Sequence, residues 1–219
     1  MSGPHVILVA SGRSGMGATT VAALLAMLAA ADRRVLLLTH DGNLQIAHPS
    51  LTILPLTGHP RLTGDYELVI IDSGSRMEAI GAALDLGVHR LLCLTAGDRF
   101  AAASAHALIK FAQGRLPSLK LEVIANRLSE PAASAQFDEL DAASRRFLGR
   151  TLRYGGAVPD DECLRAGVAA GMAILDAASG SPATAAIHTI GTRILRQIDS
   201  RTNEGSPAVD APRPFQRRS

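Results

Sequence analysis

Six short runs of branched and leucine-rich residues restrict the fold more than any other feature of the chain. They are Val6 to Ala10, Arg34 to Leu38, Leu51 to Leu54, Leu68 to Ile71, Arg90 to Leu94 and Leu121 to Ala125. Apolar runs that do not alternate with polar residues suit strands buried on both faces. Between them, residues 20–32, 76–87, 99–114 and 134–148 are Ala- and Leu-rich with helical periodicity. Strands alternating with helices require right-handed crossovers between parallel neighbours. The expected fold is therefore α/β, a three-layer sandwich with a mostly parallel central sheet. Ligands of such sheets gather beyond the carboxyl ends of the strands. The residues there are polar or glycine: Ser11 to Thr20, Thr39-His40-Asp41, Asp72-Ser73-Gly74, Thr95-Ala96-Gly97 and Asn126-Arg127.

Composition narrows the function classes. With 219 residues, 47% of them hydrophobic, the chain holds enough apolar surface for one core, and residues 1–199 read as a single domain. The 22 basic and 20 acidic residues leave a net charge of +2, too little to attract nucleic acid, and 3% aromatic residues without tryptophan provide no stacking platform. No nucleic-acid partner is expected. Cys93 and Cys163 form no metal or disulfide pattern and read as buried small apolar residues. The longest apolar run, Val21 to Ala31, falls short of the roughly 20 residues that cross a bilayer, and no basic segment leads it, so a cytoplasmic protein is expected. Asp138, Glu139, Asp141, Asp160 and Asp161 read as solvated faces and turn residues. The three prolines and missing periodicity of residues 200–219 predict a disordered tail.

The first run leads directly into SGRSGMGATT, residues 11–20, and then into a helical segment. Gly12, Gly15 and Gly17 followed by Thr19 and Thr20 fit the pattern G-x-x-x-x-G-x-[ST]. Small residues there let backbone N–H groups converge on phosphate oxygens, and a hydroxyl at position 19 is placed for Mg²⁺. Asp72, at a strand end within VIIDSG, sits where an acid supporting that ion belongs. A plainer reading stands beside this one: tight turns need glycine, and Asp41 and Asp72 cap turns.

The loop GRSGMGATT, the DGNL after the second run, YELVIID at 66–72, NR at 126–127 and GAVPDDECLRAGVAAGMAI at 156–174 occur in that order within residues 5–198. In this order they resemble the MinD/ParA class of deviant Walker A ATPases. More narrowly, AHALIKF at 105–111, RFLGRTLRYGGAVPDD at 146–161 and SGSPATAAI at 179–187 are similar to FlhG-type regulators of flagellar number and placement. The resemblance implies a phosphate loop of Gly12, Ser14, Gly15, Met16, Gly17, Ala18, Thr19 and Thr20. It implies Mg²⁺ held through Thr19 with Asp72 behind it, a water-positioning Asp41, and Asn126 with the loop at Pro159 beside the adenine. It also implies a homodimer closed around two ATP molecules, in which a signature lysine at position 13 reaches the partner's phosphates. The partners implied are proteins of the flagellar machinery, or of a cellulose or pilus secretion system.

The departures from that class are concentrated in its catalytic parts. The signature lysine is Arg13 and the general Walker lysine is Ala18, a methyl group where an ammonium would face the developing charge of phosphoryl transfer. Arginine is a charged but geometrically different replacement. Asp41 and Asp72 lie only 31 residues apart, room for one short strand and turns in place of a longer switch region, and Thr39 replaces an acid. ATP and Mg²⁺ binding are accordingly expected to be weak or absent, and hydrolysis weak or lost. Neither a C-terminal amphipathic membrane helix nor an N-terminal GTPase-activating segment is expected, so no stable membrane anchor is foreseen.

Overall fold

The computed structural model describes residues 3–42, 44–57, 62, 64–169 and 178–204. Seven strands, β1 (His5–Ser11), β2 (Val35–Thr39), β3 (Leu51–Pro55), β4 (Leu68–Gly74), β5 (Arg90–Thr95), β6 (Lys120–Asn126) and β7 (Arg153–Val158), form one sheet in the order β3-β2-β4-β1-β5-β6-β7. Every pairing is parallel. Among the described residues the helices are α1 (Ala18–Ala30), α2 (Met77–Leu84), α3 (Arg99–Arg115), α4 (Glu130–Leu148), α5 (Glu162–Ala169) and α6 (Pro182–Glu204). The expected three-layer α/β sandwich is the observed one.

The inner strands are largely apolar because both of their faces are covered, whereas the edge strands β3 and β7 are only partly buried. On β1, Ile7 and Val9 point into a cluster with α1 and α6, whereas Val6, Leu8 and Ala10 point into a second cluster with α2, α3 and α4. Each valine, leucine or isoleucine among them taken fully out of water contributes about 1.5–3 kcal/mol. Close approach of α6 to α1 relies on Gly191, where a Cβ would lie 2.7 Å from Leu28.

Several features differ from the sequence expectation: helices α5 and α6 lie outside its four helical segments, and α1 begins at Ala18 instead of residue 20. Strand β7 was not foreseen, because RYGGAV contains two glycines and one β-branched residue. Gly155 cannot be replaced by a larger residue without disturbing the ladder, since a Cβ there would lie 2.8 Å from the Val123 carbonyl. Helix α4 begins at Glu130 instead of residue 134, with Ser129 at its cap and Pro131 in its first turn, a position where proline's missing N–H is harmless. Helix α6 continues past the expected boundary at residue 199 to Glu204, and residues 205–219 lie outside the described residues.

Two side-chain expectations are corrected. Cys163 is exposed, on the outer side of α5, while Cys93 is buried as expected. Asp141 is buried, not solvated: it accepts the Leu152 N–H at 2.7 Å and pairs with Arg145 at 2.8 Å, tying α4 to the start of β7. Among the described residues no helix is long and apolar enough to cross a membrane.

Candidate nucleotide site

Strands β2, β4, β1, β5 and β6 all end on the same edge of the sheet, and residues 12–17 join β1 to α1 there. Gly15 and Gly17 adopt left-handed backbone, at φ 77° and 84°, which a Cβ would strain. Gly12 serves a different purpose. Its φ is unremarkable, but a Cβ would lie 2.2 Å from the Ser104 backbone, so its bareness admits α3 rather than a ligand.

Helix α1 begins at Ala18 with no side-chain cap and no acid in its first turn. Its leading N–H groups and the positive end of its dipole therefore face the loop's concavity. That concavity is a cavity of about 420 Å³ lined by Ser14, Gly15, Met16, Gly17, Ala18 and Thr19 of the loop, with His40 and Arg76 across from them. A second cavity of about 250 Å³ adjoins it, walled by Thr20, Asn126, Pro159, Asp161 and Leu164. Thr19 and Thr20, consecutive on the first turn of α1, thus open onto different cavities.

The loop is held from β6. Asn126 donates through Nδ2 to the Met16 carbonyl at 2.8 Å, and its Oδ1 accepts the Arg127 N–H at 3.0 Å. Arg127 donates through its guanidinium to the Gly15 carbonyl at 2.9 Å. Two successive residues therefore fix two successive loop peptides. Because each peptide is trans, the N–H groups of Met16 and Gly17 are turned away from β6.

The acids behind the loop form a connected set. Asp72 is completely buried, and its carboxylate accepts from the Thr39 hydroxyl at 2.8 Å and from the Gly74 N–H at 3.1 Å. It does not line the cavity, so a cation held by Thr19 would reach it only through an intervening group. Asp41 follows β2, with its N–H donating to the Thr39 hydroxyl at 3.1 Å, and the cavity wall at this strand end is His40. Arg13 lies outside both cavities, exposed and paired with Asp98 at 3.2 Å, the same Asp98 that caps α3 through the Ala101 N–H.

The structure therefore gathers the loop residues with Asn126 and Pro159 around two joined cavities, and leaves Arg13, Asp41 and Asp72 outside the lining. The fit to a nucleotide with Mg²⁺ is supported by an uncapped helix start, two left-handed glycines and a half-buried Thr19 open to the larger cavity. Sequence reasoning gave no role to Arg76, His40, Arg127 or the Asp161–Ser181 contact, where the Ser181 hydroxyl donates at 2.6 Å beneath the smaller cavity. Of these, His40 and Arg127 had a signal in the sequence, their places at the strand ends beside Asp41 and Asn126.

No protein-family model matches the sequence, and no curated protein matches it. Solved structures do match. MinD cell division protein from Aquifex aeolicus shares 18% identity at a TM-score of 0.67, over 88% of this chain and 97% of that one. The Mg-ADP complex of the septum site-determining protein MinD from Pyrococcus horikoshii shares 18% at 0.68, over 88% and 96%. An ATP complex of McdA from Cyanothece shares 16% at 0.65, over 90% and 98%. At these identities the likeness establishes the fold.

Proposed function

Starting from a chain with the fold of the MinD/ParA P-loop ATPases, we propose that it is an FlhG-like regulatory or scaffolding protein of flagellar or polar assembly. It binds adenine nucleotide weakly and hydrolyses ATP little or not at all. The observation that carries this reading is Ala18: its methyl group lines the larger cavity at the first residue of α1, where the fold's chemistry calls for an ammonium. The geometry of Arg13 supports it, because that side chain is engaged by Asp98 of its own chain. The region between Asp41 and Asp72 supports it too, holding strand β3 and, among the described residues, no helix.

The test is ATP turnover of the wild type beside Ala18→Lys, with nucleotide binding measured on both. The reading expects no steady turnover from the wild type and tighter binding by the variant. Turnover by the wild type that disappears in Asp41→Ala overturns it.

The two open cavities favour one second reading, an ATP-dependent homodimerisation switch in which Arg13 takes the part of the signature lysine. There, ATP would drive dimer formation by the wild type and fail to do so for Arg13→Ala, as read by light scattering.

A further inference from the structure

We propose that Arg127 is the phosphate-binding cation of this site, taking the place of the ammonium missing at position 18. The inference rests on the reading that the loop takes a nucleotide.

Among the described residues only Gly17 and Arg127 line both cavities, so Arg127 stands at the seam that a ligand spanning the two would cross. The guanidinium offers five N–H donors. One bond, to the Gly15 carbonyl, orients it against the loop, and among the described residues it makes no ion pair. The other cations near the loop are differently placed. Arg13 is paired with Asp98 outside the cavities, Arg165 is paired with Asp160, and Arg76 lines the larger cavity from its opposite side, at the cap of α2.

The backbone supplies an independent argument. Arg127 is the one non-glycine residue with positive φ, 61°, among the described residues. Glycine or asparagine would adopt that conformation more readily. An arginine kept there gives up backbone ease for a planar cation, and a planar fork matches phosphate oxygens pairwise.

The experiment measures the affinity of the full chain for methylanthraniloyl-ADP with Mg²⁺, and for adenosine by saturation-transfer NMR. Arg127→Ala is expected to weaken the ADP analogue about tenfold or more while leaving the adenosine signal unchanged. Arg127→Lys, which keeps the charge without the planar fork, retains only part of the affinity, and Arg76→Ala changes it less than about threefold. Arg127→Gly separates binding from folding: it relieves the backbone, so the melting temperature does not fall, yet affinity drops as in the alanine variant. Wild-type binding that both Arg127→Ala and Arg127→Gly preserve within twofold overturns the inference and leaves the nucleotide reading standing. A wild type that binds no analogue at millimolar concentration overturns both.

Discussion

The Thr39 hydroxyl and the Asp72 carboxylate meet at 2.8 Å across the neighbouring strands β2 and β4, fully buried. The same hydroxyl accepts the Asp41 N–H at 3.1 Å, so one oxygen joins both acids of the site. In the sequence this threonine reads as a lost acidic contact. In the fold it is the group that satisfies a buried carboxylate, and an acid in its place would set two carboxylates against each other.

Replacing Thr39 by valine keeps the shape and removes the donor. The carboxylate then stays buried with one partner fewer, and the protein should lose about 1–3 kcal/mol in urea unfolding. Thr39→Ser, which keeps the hydroxyl, should lose less. Equal stability of the valine variant and the wild type would show that Asp72 does not depend on Thr39.

Much of the fold was legible because it follows from periodicity. Each of the six strands read from apolar runs exists; the inner ones lack polar alternation because both faces are covered, and β3 is an apolar run on a half-exposed edge. Strand β7 was not legible, because its two glycines answer to the neighbouring strand and to Ile190 on α6, contacts that no local pattern carries. The site was legible where the residue type itself is required. Gly15 and Gly17 need left-handed backbone, whereas Gly12, which looks the same in the sequence, makes room for Ser104. The surroundings of Arg13 were not legible for the converse reason: its partner, Asp98, lies 85 residues away.

Gly12→Ala should therefore damage the protein through α3. The 2.2 Å approach is to backbone, which no side-chain rotation relieves, so β1 and α3 must separate. Unfolding should become easier by about 1–3 kcal/mol, the range for overpacking a core. Gly15→Ala meets only open space and should instead show the smaller cost of left-handed backbone, which urea titration of the two variants distinguishes.

Away from the site, Arg90 on β5 and Glu122 on β6 form an ion pair with both side chains almost wholly buried, and Arg193 of α6 closes on the second Glu122 oxygen. Burial pulls the Arg90 pKa down and its attraction to Glu122 pulls it back up, so each charge depends on the other. Removing one partner leaves an uncompensated buried charge. Arg90→Met or Glu122→Leu alone should cost about 3–5 kcal/mol, and the double variant clearly less than their sum. Additive losses in thermal unfolding would count against this coupling.

The two thiols should react very differently. Burial pushes the Cys93 thiol up to about 12, so almost no thiolate exists at neutral pH, while Cys163 is exposed on α5. A disulfide reagent should label one thiol rapidly in the native protein and the second only on unfolding. Cys163→Ser should abolish the fast phase and leave the slow one.

The floor of the smaller cavity should be sensitive to acid through Asp161. Its carboxylate accepts the Ser181 hydroxyl at 2.6 Å and the Leu164 N–H at 2.9 Å, joining the start of α5 to the start of α6. The Ser181 hydrogen bond is the main cause holding its pKa below the ordinary aspartate value, with the backbone N–H groups adding to it. A group whose pKa is depressed by folding contributes stability that is complete above its unfolded pKa, about 4, and is lost as the pH falls through the folded value. Wild type and Asp161→Asn should therefore differ most above about pH 5 and converge as the pH drops below 4. Ser181→Ala should narrow the same gap at neutral pH, because it removes the main cause of the shift. A stability difference between wild type and Asp161→Asn that stays constant from pH 6 to pH 3 would mean that the carboxylate's charge does not hold α5 to α6.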